Sequence, residues 1–392
     1  MAIDGSAPSP DVVVIGAGIV GAACAYFLAR SGATVHVHER TYPGSGSSGA
    51  CEGNILAWDK ELRRELPLAV RSAELWAALA AELPDDFEYD RKGSLVVAET
   101  EAELTAARER AAALAAHGVA GEPLDAAGLR AEEPHSADDL PGGVLYPGDA
   151  QIEPRLATVA LVRAAERAGA RVLRETPVER IERDARGRAI AVRTAGGRIA
   201  TDAVVVAAGV WTPAVLATAG LDVPVTPRKG HILVLQRSPV RFRRKLSEAG
   251  YVQAVESDGD GLQVAMVVES TPSGTTLVGS SREHAGFDAA VNLDVAAAMA
   301  RRAARFFPVL RDLQVLRMYA GLRPLSPDHV PLIGPLAGAE NVCVATGHEG
   351  AGVGLAPATG ELVSAWYTGA APAVPLEWFS PDRFAPVHQV AT

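Results

Sequence analysis

A chain of 392 residues, 48% of them apolar, is longer than one hydrophobic core usually organises, so two domains are expected and a disordered or fibrous class is excluded. The formal net charge of −10 argues against a nucleic-acid-binding surface, which needs clustered Lys and Arg. No run approaches the roughly 18 apolar residues of a membrane span, and the polar start MAIDGSAPSPD lacks a charged-then-apolar leader, so a soluble, cytoplasmic protein is expected.

The first element is the most informative. An apolar run, Val12 to Ile15, stops at Gly16-Ala17-Gly18-Ile19-Val20-Gly21, and an apolar helix follows over Ala22 to Ala29. After a Ser31-Gly32 turn, a second strand from Thr34 to His38 ends on Glu39. Strand, glycine loop, helix, strand and acid within about thirty residues form a dinucleotide-binding unit. Gly16 permits the tight turn, Gly18 lets a pyrophosphate approach the backbone, and Gly21 lets helix and strand pack closely. The helix N-terminus offers N–H groups and a positive dipole end to phosphates, while Glu39 can accept hydrogen bonds from a ribose diol. By this unit alone the dinucleotide is NAD or FAD.

Residues 68–117 have helical periodicity, interrupted by a strand-like Gly93 to Val97. A helix from Arg155 to Ala168 leads into short strands and turns up to residue 222, among them the apolar ATDAVVVAAGVW of 200–211. Between 223 and 285 the pattern predicts antiparallel strands at His231–Leu235, Tyr251–Val255, Leu262–Val268 and Thr275–Ser280. The basic run Arg241-Phe242-Arg243-Arg244-Lys245 among them reads as a solvated loop. A helix from Val295 to Phe307 comes next. Near the end, NVCVATGHEGAGVGL (341–355) runs from a strand into a glycine-rich turn, followed by a helix from Ala356 to Trp366. Fully apolar strands are those buried on both faces of a parallel sheet, where ligands bind beyond the strand C-termini. Cys24, Cys51 and Cys343 have no CxxC spacing, so neither a disulfide framework nor a metal site is expected, and a reducing compartment fits.

Taken together, these segments resemble the D-amino acid oxidase family of FAD-dependent oxidoreductases, which includes glycine oxidase and sarcosine oxidase. The likeness spans nearly the whole chain. It rests on the N-terminal loop with Glu39, on Gly44-Ser45-Gly46-Ser47-Ser48-Gly49, and on Ala207-Ala208-Gly209-Val210-Trp211. It rests also on GLRPLSPDHVPLIG (321–334) and on Gly347-His348-Glu349-Gly350 with Gly352 and Gly354. CEGNILAWDK (51–60), PRKGHILV (227–234), LVGSSREHAGFD (277–288) and ATGHEGAGVGLAPATGEL (345–362) are similar to the flavin-bearing subunits of opine oxidase and D-hydroxyproline dehydrogenase.

The resemblance implies an α/β fold: a Rossmann-like FAD-binding domain with an inserted antiparallel-sheet α+β substrate domain. The FAD-binding domain would comprise 11–85, 148–222 and 320–368; the substrate domain would comprise 86–147 and 223–319, with a tail at 369–392. By similarity, Gly16, Gly18, Ile19, Val20 and Gly21 hold the pyrophosphate, Glu39 takes the ribose, and Arg40 lies beside the adenine. Ser47, Ser48, Glu52, Gly53 and Asn54 wrap the ribityl chain and flavin, and the backbone of Val178 meets the adenine. Gly209 belongs to the same cofactor site, and His348, Glu349, Gly350, Ala351, Gly352, Val353 and Gly354 form the turn beneath the flavin. Backbone amides there can stabilise negative charge on the reduced ring. Arg323 would bind the substrate carboxylate through its guanidinium fork. Tyr251 would cap that carboxylate, His231 would form a pocket wall, and His348 would sit beside the flavin as a polar neighbour.

The expected activity is oxidation of the C–N bond of a D-amino acid, D-proline, hydroxyproline or an opine-like secondary amine. Hydride transfer to flavin N5 gives an imine and needs positioning more than a strong base. Where glycine oxidase carries an arginine after its Gly-His, this chain has Gly350, which favours a bulkier or secondary amine. Near the place where sarcosine oxidase attaches its flavin through cysteine, this chain has Gly321 and no cysteine between Cys51 and Cys343, so the FAD is expected to be non-covalent. The electron acceptor is dioxygen or a partner subunit. An NAD-linked dehydrogenase, a non-catalytic FAD-binding electron-transfer subunit and a natural-product amine oxidase are the alternative readings.

Overall fold

The computed structural model describes residues 9–238, 240–252 and 261–384, which fall into two units: Met1–Ser48, Ala157–Thr226 and Arg323–Thr392 form the first, Gly49–Leu156 and Pro227–Leu322 the second. Residues 49–85, 148–156 and 320–322, grouped by sequence with the nucleotide domain, cluster with the second unit, and 223–226, grouped with the substrate domain, cluster with the first. The described part of the expected tail, 369–384, clusters with the first.

The first unit is built on a six-stranded sheet in the order Leu332–Leu336, Ala339–Thr346, Ala203–Val206, Val12–Ile15, Val35–His38, Arg171–Leu173. All neighbours are parallel except the first pair. The VVVI and AVVV strands are buried along their whole length, which explains their uninterrupted apolar sequence. A three-stranded antiparallel sheet, Val178–Arg183, Ala189–Thr194 and Gly197–Ala200, packs Ile181 and Val192 into the same core as Val13, Val204 and Val342.

Two long helices cross closely over this sheet. The first helix is Ile19–Arg30, and the last long helix, Gly352–Thr368, starts four residues before its predicted beginning. A Cβ on Gly360 would lie 2.7 Å from the backbone of Ala23, so a glycine is what lets the two backbones approach.

The second unit carries an eight-stranded mixed sheet in the order Val315–Leu325, Thr226–Leu235, Thr276–Arg282, Gln263–Ser270, Lys245–Glu248, Ser94–Ala98, Gly142–Tyr146, Glu122–Asp125. Its one departure from an antiparallel ladder among the described pairings is Lys245–Glu248 beside Ser94–Ala98. Alternation along the strands sends Leu95, Val97, Leu246, Met266 and Val268 to a core shared with Val295, Met299 and Phe306 of the helix Leu293–Phe306. Val96, Val144, Tyr146 and Val267 go to a second core with Trp58 and Tyr251.

Two expectations fail here. Tyr251 does not head a strand: Tyr251 and Val252 lie in a helical turn, and 253–255 fall outside the described residues. The basic run 241–245 is not a solvated loop either. Phe242 and Lys245 are buried, Lys245 opens a strand, and Arg244 donates through Nε and Nη2 to Glu132 Oε2 at 2.9 and 2.8 Å. Charge patterning cannot foresee burial that depends on carboxylates distant in sequence.

Candidate active site

The glycine loop is dictated by contact. Gly16 has φ +104, and a Cβ there would sit 2.6 Å from Ala207 O; a Cβ on Gly21 would sit 2.1 Å from Gly16 O. The loop can therefore lie flat between the ends of two parallel strands. Gly18 caps the first helix without a side chain of its own, and Ser48 Oγ reaches in to accept from Ile19 N at 3.0 Å. Ser47, beside it, belongs to the 3-10 turn Ser47–Gly49.

Glu39 is buried, and its carboxylate accepts from Ala17 N and Thr41 N, both at 2.9 Å. Those bonds fix its orientation, and a carboxylate has about four lone-pair sites, so capacity for a ribose diol remains. The Arg40 guanidinium lies 3.7 Å from the ring centroid of Trp211, in the 3-10 turn Gly209–Trp211. Val178 opens its strand half-buried, and the nearby Thr176 N donates to Glu39 O at 2.9 Å. Gly209 has φ +55, and its carbonyl accepts from Thr346 Oγ1 at 3.0 Å.

The second cluster of this unit is the turn from Gly347 to Ala351, which caps the last long helix. Gly352 would bring a Cβ within 3.9 Å of Val20 Cγ2, so the starts of the two long helices lie side by side. Neither capping residue supplies a side-chain cap of its own, and Ser48 Oγ takes the Ile19 N–H, so two helix N-termini with their positive dipole ends are neighbours. Val353 and Gly354 are buried within the first turn rather than in the preceding loop. Arg323 comes from the strand Val315–Leu325 and runs along this turn: a Cβ on Gly350 would be 3.6 Å from Arg323 Nε.

His348 is buried, with Nε2 3.0 Å from Thr359 Oγ1. The threonine hydroxyl donates to Leu355 O, so the imidazole Nε2–H is the donor to threonine. Burial pushes its pKa down to about 3, so the ring is neutral at physiological pH and its Nε2 holds a proton already committed.

The second unit holds Glu52, Gly53, Asn54 and Tyr251. A Cβ on Gly53 would overlap Ile152 O at 1.6 Å, so that position must be glycine. Glu52 is held inside the unit: Oε2 accepts from Asn54 Nδ2 at 3.2 Å and lies 3.6 Å from Lys245 Nζ. Lys245 in turn donates to Glu269 at 2.7 Å. Glu52 thus belongs to a buried ion cluster, a role its sequence position did not reveal. Tyr251 packs against Trp58, centroids 5.9 Å apart, and the Arg282 guanidinium lies 4.7 Å from its ring.

His231 is fully enclosed, which excludes the pocket-wall expectation in this structure. Its Nε2 accepts from Asn292 N at 3.1 Å, so Nδ1–H donates to Ser281 Oγ at 2.9 Å. It joins a strand to the N-cap of the helix Leu293–Phe306. The sequence does not single out Lys245, Glu269 or Arg282, because nothing in a strand sequence marks a lysine that will be buried between two carboxylates. Among the described residues no group of His, Cys, Asp and Glu is arranged for a metal, and no helix is long and apolar enough to cross a membrane.

With this geometry in hand, the comparisons are specific. The family model described as FAD dependent oxidoreductase (DAO) matches residues 11–366. Glycine oxidase of Geobacillus kaustophilus (strain HTA426) is 30% identical over 369 residues, covering 90% of this chain and 92% of the relative. D-amino acid dehydrogenase of Methylobacterium nodulans is 30% identical over 433 residues, covering 95% and 99%. The crystal structure of L-proline dehydrogenase from P. horikoshii superposes with a TM-score of 0.87 at 25% identity, covering 96% of this chain and 98% of that one.

Proposed function

The chain belongs to the family of FAD-dependent oxidoreductases, and we propose that within it the protein oxidises the C–N bond of an amino or imino acid to an imine. The observation that carries this reading is Arg323 lying along the turn that starts the last long helix. The turn leads into a helix N-terminus, which favours negative charge, and beside it lies a guanidinium fork of the kind that suits a carboxylate.

The first unit fits the cofactor. Its two adjacent helix starts, the flat glycine loop, the pre-oriented Glu39 and the Arg40–Trp211 stack would hold pyrophosphate, ribose and adenine. Bound FAD supplies the acceptor for two electrons and the hydrogen removed from the α-carbon. The chain's residues do the rest by position: Arg323 fixes the carboxylate, and the amides at the start of the last helix favour negative charge close by. His348 stays neutral and holds its Nε2 proton on Thr359, so it is not the group that takes a proton from the substrate amine. A Cβ on Gly321 would lie 2.6 Å from Ala50 O, leaving no space for a cysteine there, which supports a non-covalent cofactor.

Gly350 puts no side chain of its own beside Arg323, which favours secondary or bulky amines: D-proline, hydroxyproline or an opine. The similarity to a D-amino acid dehydrogenase supports an electron-accepting partner as the oxidant. Anaerobic titration of the yellow protein with D-proline, hydroxyproline isomers, glycine, sarcosine, D-alanine and an opine tests both points. Bleaching by a secondary amine that persists when air is admitted is the expected result. Rapid recovery in air makes the protein an oxidase, and no bleaching by any amino or imino acid overturns the reading.

A further inference from the structure

Among the described residues, four that are not glycine have left-handed backbone: Glu88, Glu175, His329 and Glu349, at φ between 47 and 59. Such residues persist only where surrounding contacts offset the strain. Two of the four touch each other. His329 Nδ1 lies 3.1 Å from Glu349 Oε2, and a carboxylate can only accept, so the imidazole N–H donates.

We infer that His329 and Glu349 form a positioning clasp, which fixes the Gly347–Ala351 turn and the amides behind it against the strand end that carries Arg323. This rests on the reading above that the turn faces the cofactor. The strand end and the turn are already joined through the backbone: Glu349 N donates to Pro324 O at 2.8 Å, and Leu325 bridges His348. What remains to be set is the turn's other side. The loop 326–330 provides a fixed point for that, because Arg383 grips Asp328 through Nη2 at 2.8 Å and Nε at 3.0 Å. Ser326 Oγ closes the same loop on Val330 O at 2.7 Å. From this anchored loop His329 reaches the residue immediately before Gly350, whose backbone lies against Arg323. Two strained residues thus hold one turn, each keeping the other in place.

The test separates positioning from bulk stability. His329→Gly removes the clasp and supplies the residue that φ +59 favours, so a purely structural role predicts an unchanged or higher Tm and nothing else. Positioning predicts the same Tm behaviour with FAD released several-fold faster from the holoprotein. It also predicts a several-fold weaker Kd for acetate, a carboxylate that cannot be oxidised, read from the flavin absorbance. Glu349→Gly should reproduce both shifts from the other partner. Glu349→Gln, which keeps an acceptor for the imidazole, should restore most of both. Wild-type FAD release in both glycine variants overturns the clasp. Acetate that leaves the wild-type flavin spectrum unchanged, with Arg323→Ala no different, overturns the carboxylate role of Arg323 instead; FAD release still decides the clasp.

Discussion

Lys245→Met is the substitution whose cost the structure specifies most directly. The ammonium lies 2.7 Å from Glu269 Oε2 and 3.6 Å from Glu52 Oε2, with the three side chains 1%, 1% and 7% exposed. Burial opposes the charge on Lys245, but Glu269 and Glu52 outweigh it and hold the pKa above the usual lysine value. A thioether of similar length fills the space and leaves two carboxylates buried without their cation. Breaking a buried pair from one side costs about 3–5 kcal/mol. That is a large part of the roughly 5–15 kcal/mol by which a domain is stable.

The assay is urea denaturation of the holoprotein at pH 8, compared with the triple variant in which Glu52→Gln and Glu269→Gln accompany Lys245→Met. The triple variant should recover most of the loss, because no carboxylate is then left facing the missing ammonium, while Lys92, which also feels Glu269, keeps Asp90 and Glu133. A raised lysine pKa gives stability that is complete below the unfolded value and lost as pH rises through the folded one. The penalty should therefore shrink only above about pH 10. A single variant within about 1 kcal/mol of wild type, about the size of a typical exposed ion pair, would refute the argument.

Arg323→Lys should lower kcat/KM for the amine substrate about 30- to 150-fold, mainly through KM. The geometry of the fork is lost while the charge is kept, and a charge-assisted hydrogen bond is worth roughly 2–3 kcal/mol. An unchanged KM in steady-state assays would remove Arg323 from substrate binding. For Asp149, burial raises the pKa to about 7, against the opposing hydrogen bonds from Ser94 and Ala57 N. A raised carboxyl contributes stability while protonated and loses it as pH rises from about 4 through 7. Asp149→Asn should therefore gain on wild type between pH 5 and pH 8 in denaturation midpoints. A difference that stays constant with pH would contradict this.

The sequence made the first unit readable because its determinants are local and steric. Gly16 and Gly21 announce a contact that allows no Cβ, and VVVI and AVVV announce burial on both faces. The second unit was only half readable. Its alternation placed the strands ending at Leu235, Val268 and Ser280 within a few residues, and the helix at 293–306 likewise. Its polar interior was hidden, because Glu52, Lys245 and Glu269 gain meaning only when distant strands bring them together. Tyr251 misled for a related reason: an aromatic beside a valine suits a strand, yet packing against Trp58 is equally available from a helical turn. His329 and Glu349 carry no composition signal at all, since left-handed backbone is advertised in sequence mainly by glycine and asparagine.

The sheet of the first unit also sets the order in which the chain can mature. Ile15 pairs with His38 early in synthesis, but its other neighbour, Val206, and that strand's neighbour, Val344, emerge far later. At bacterial-like elongation rates of about 5–20 residues per second, the wait for Val206 is on the order of ten seconds or more. Throughout it, the VVVI strand has an unpaired apolar edge. High contact order then makes closure slow even after release. The strand Ala339–Thr346 completes the sheet and the helix Gly352–Thr368 then covers it, so a nascent chain truncated before Gly347 has the whole sheet but lacks the helix that packs on Ile19–Arg30.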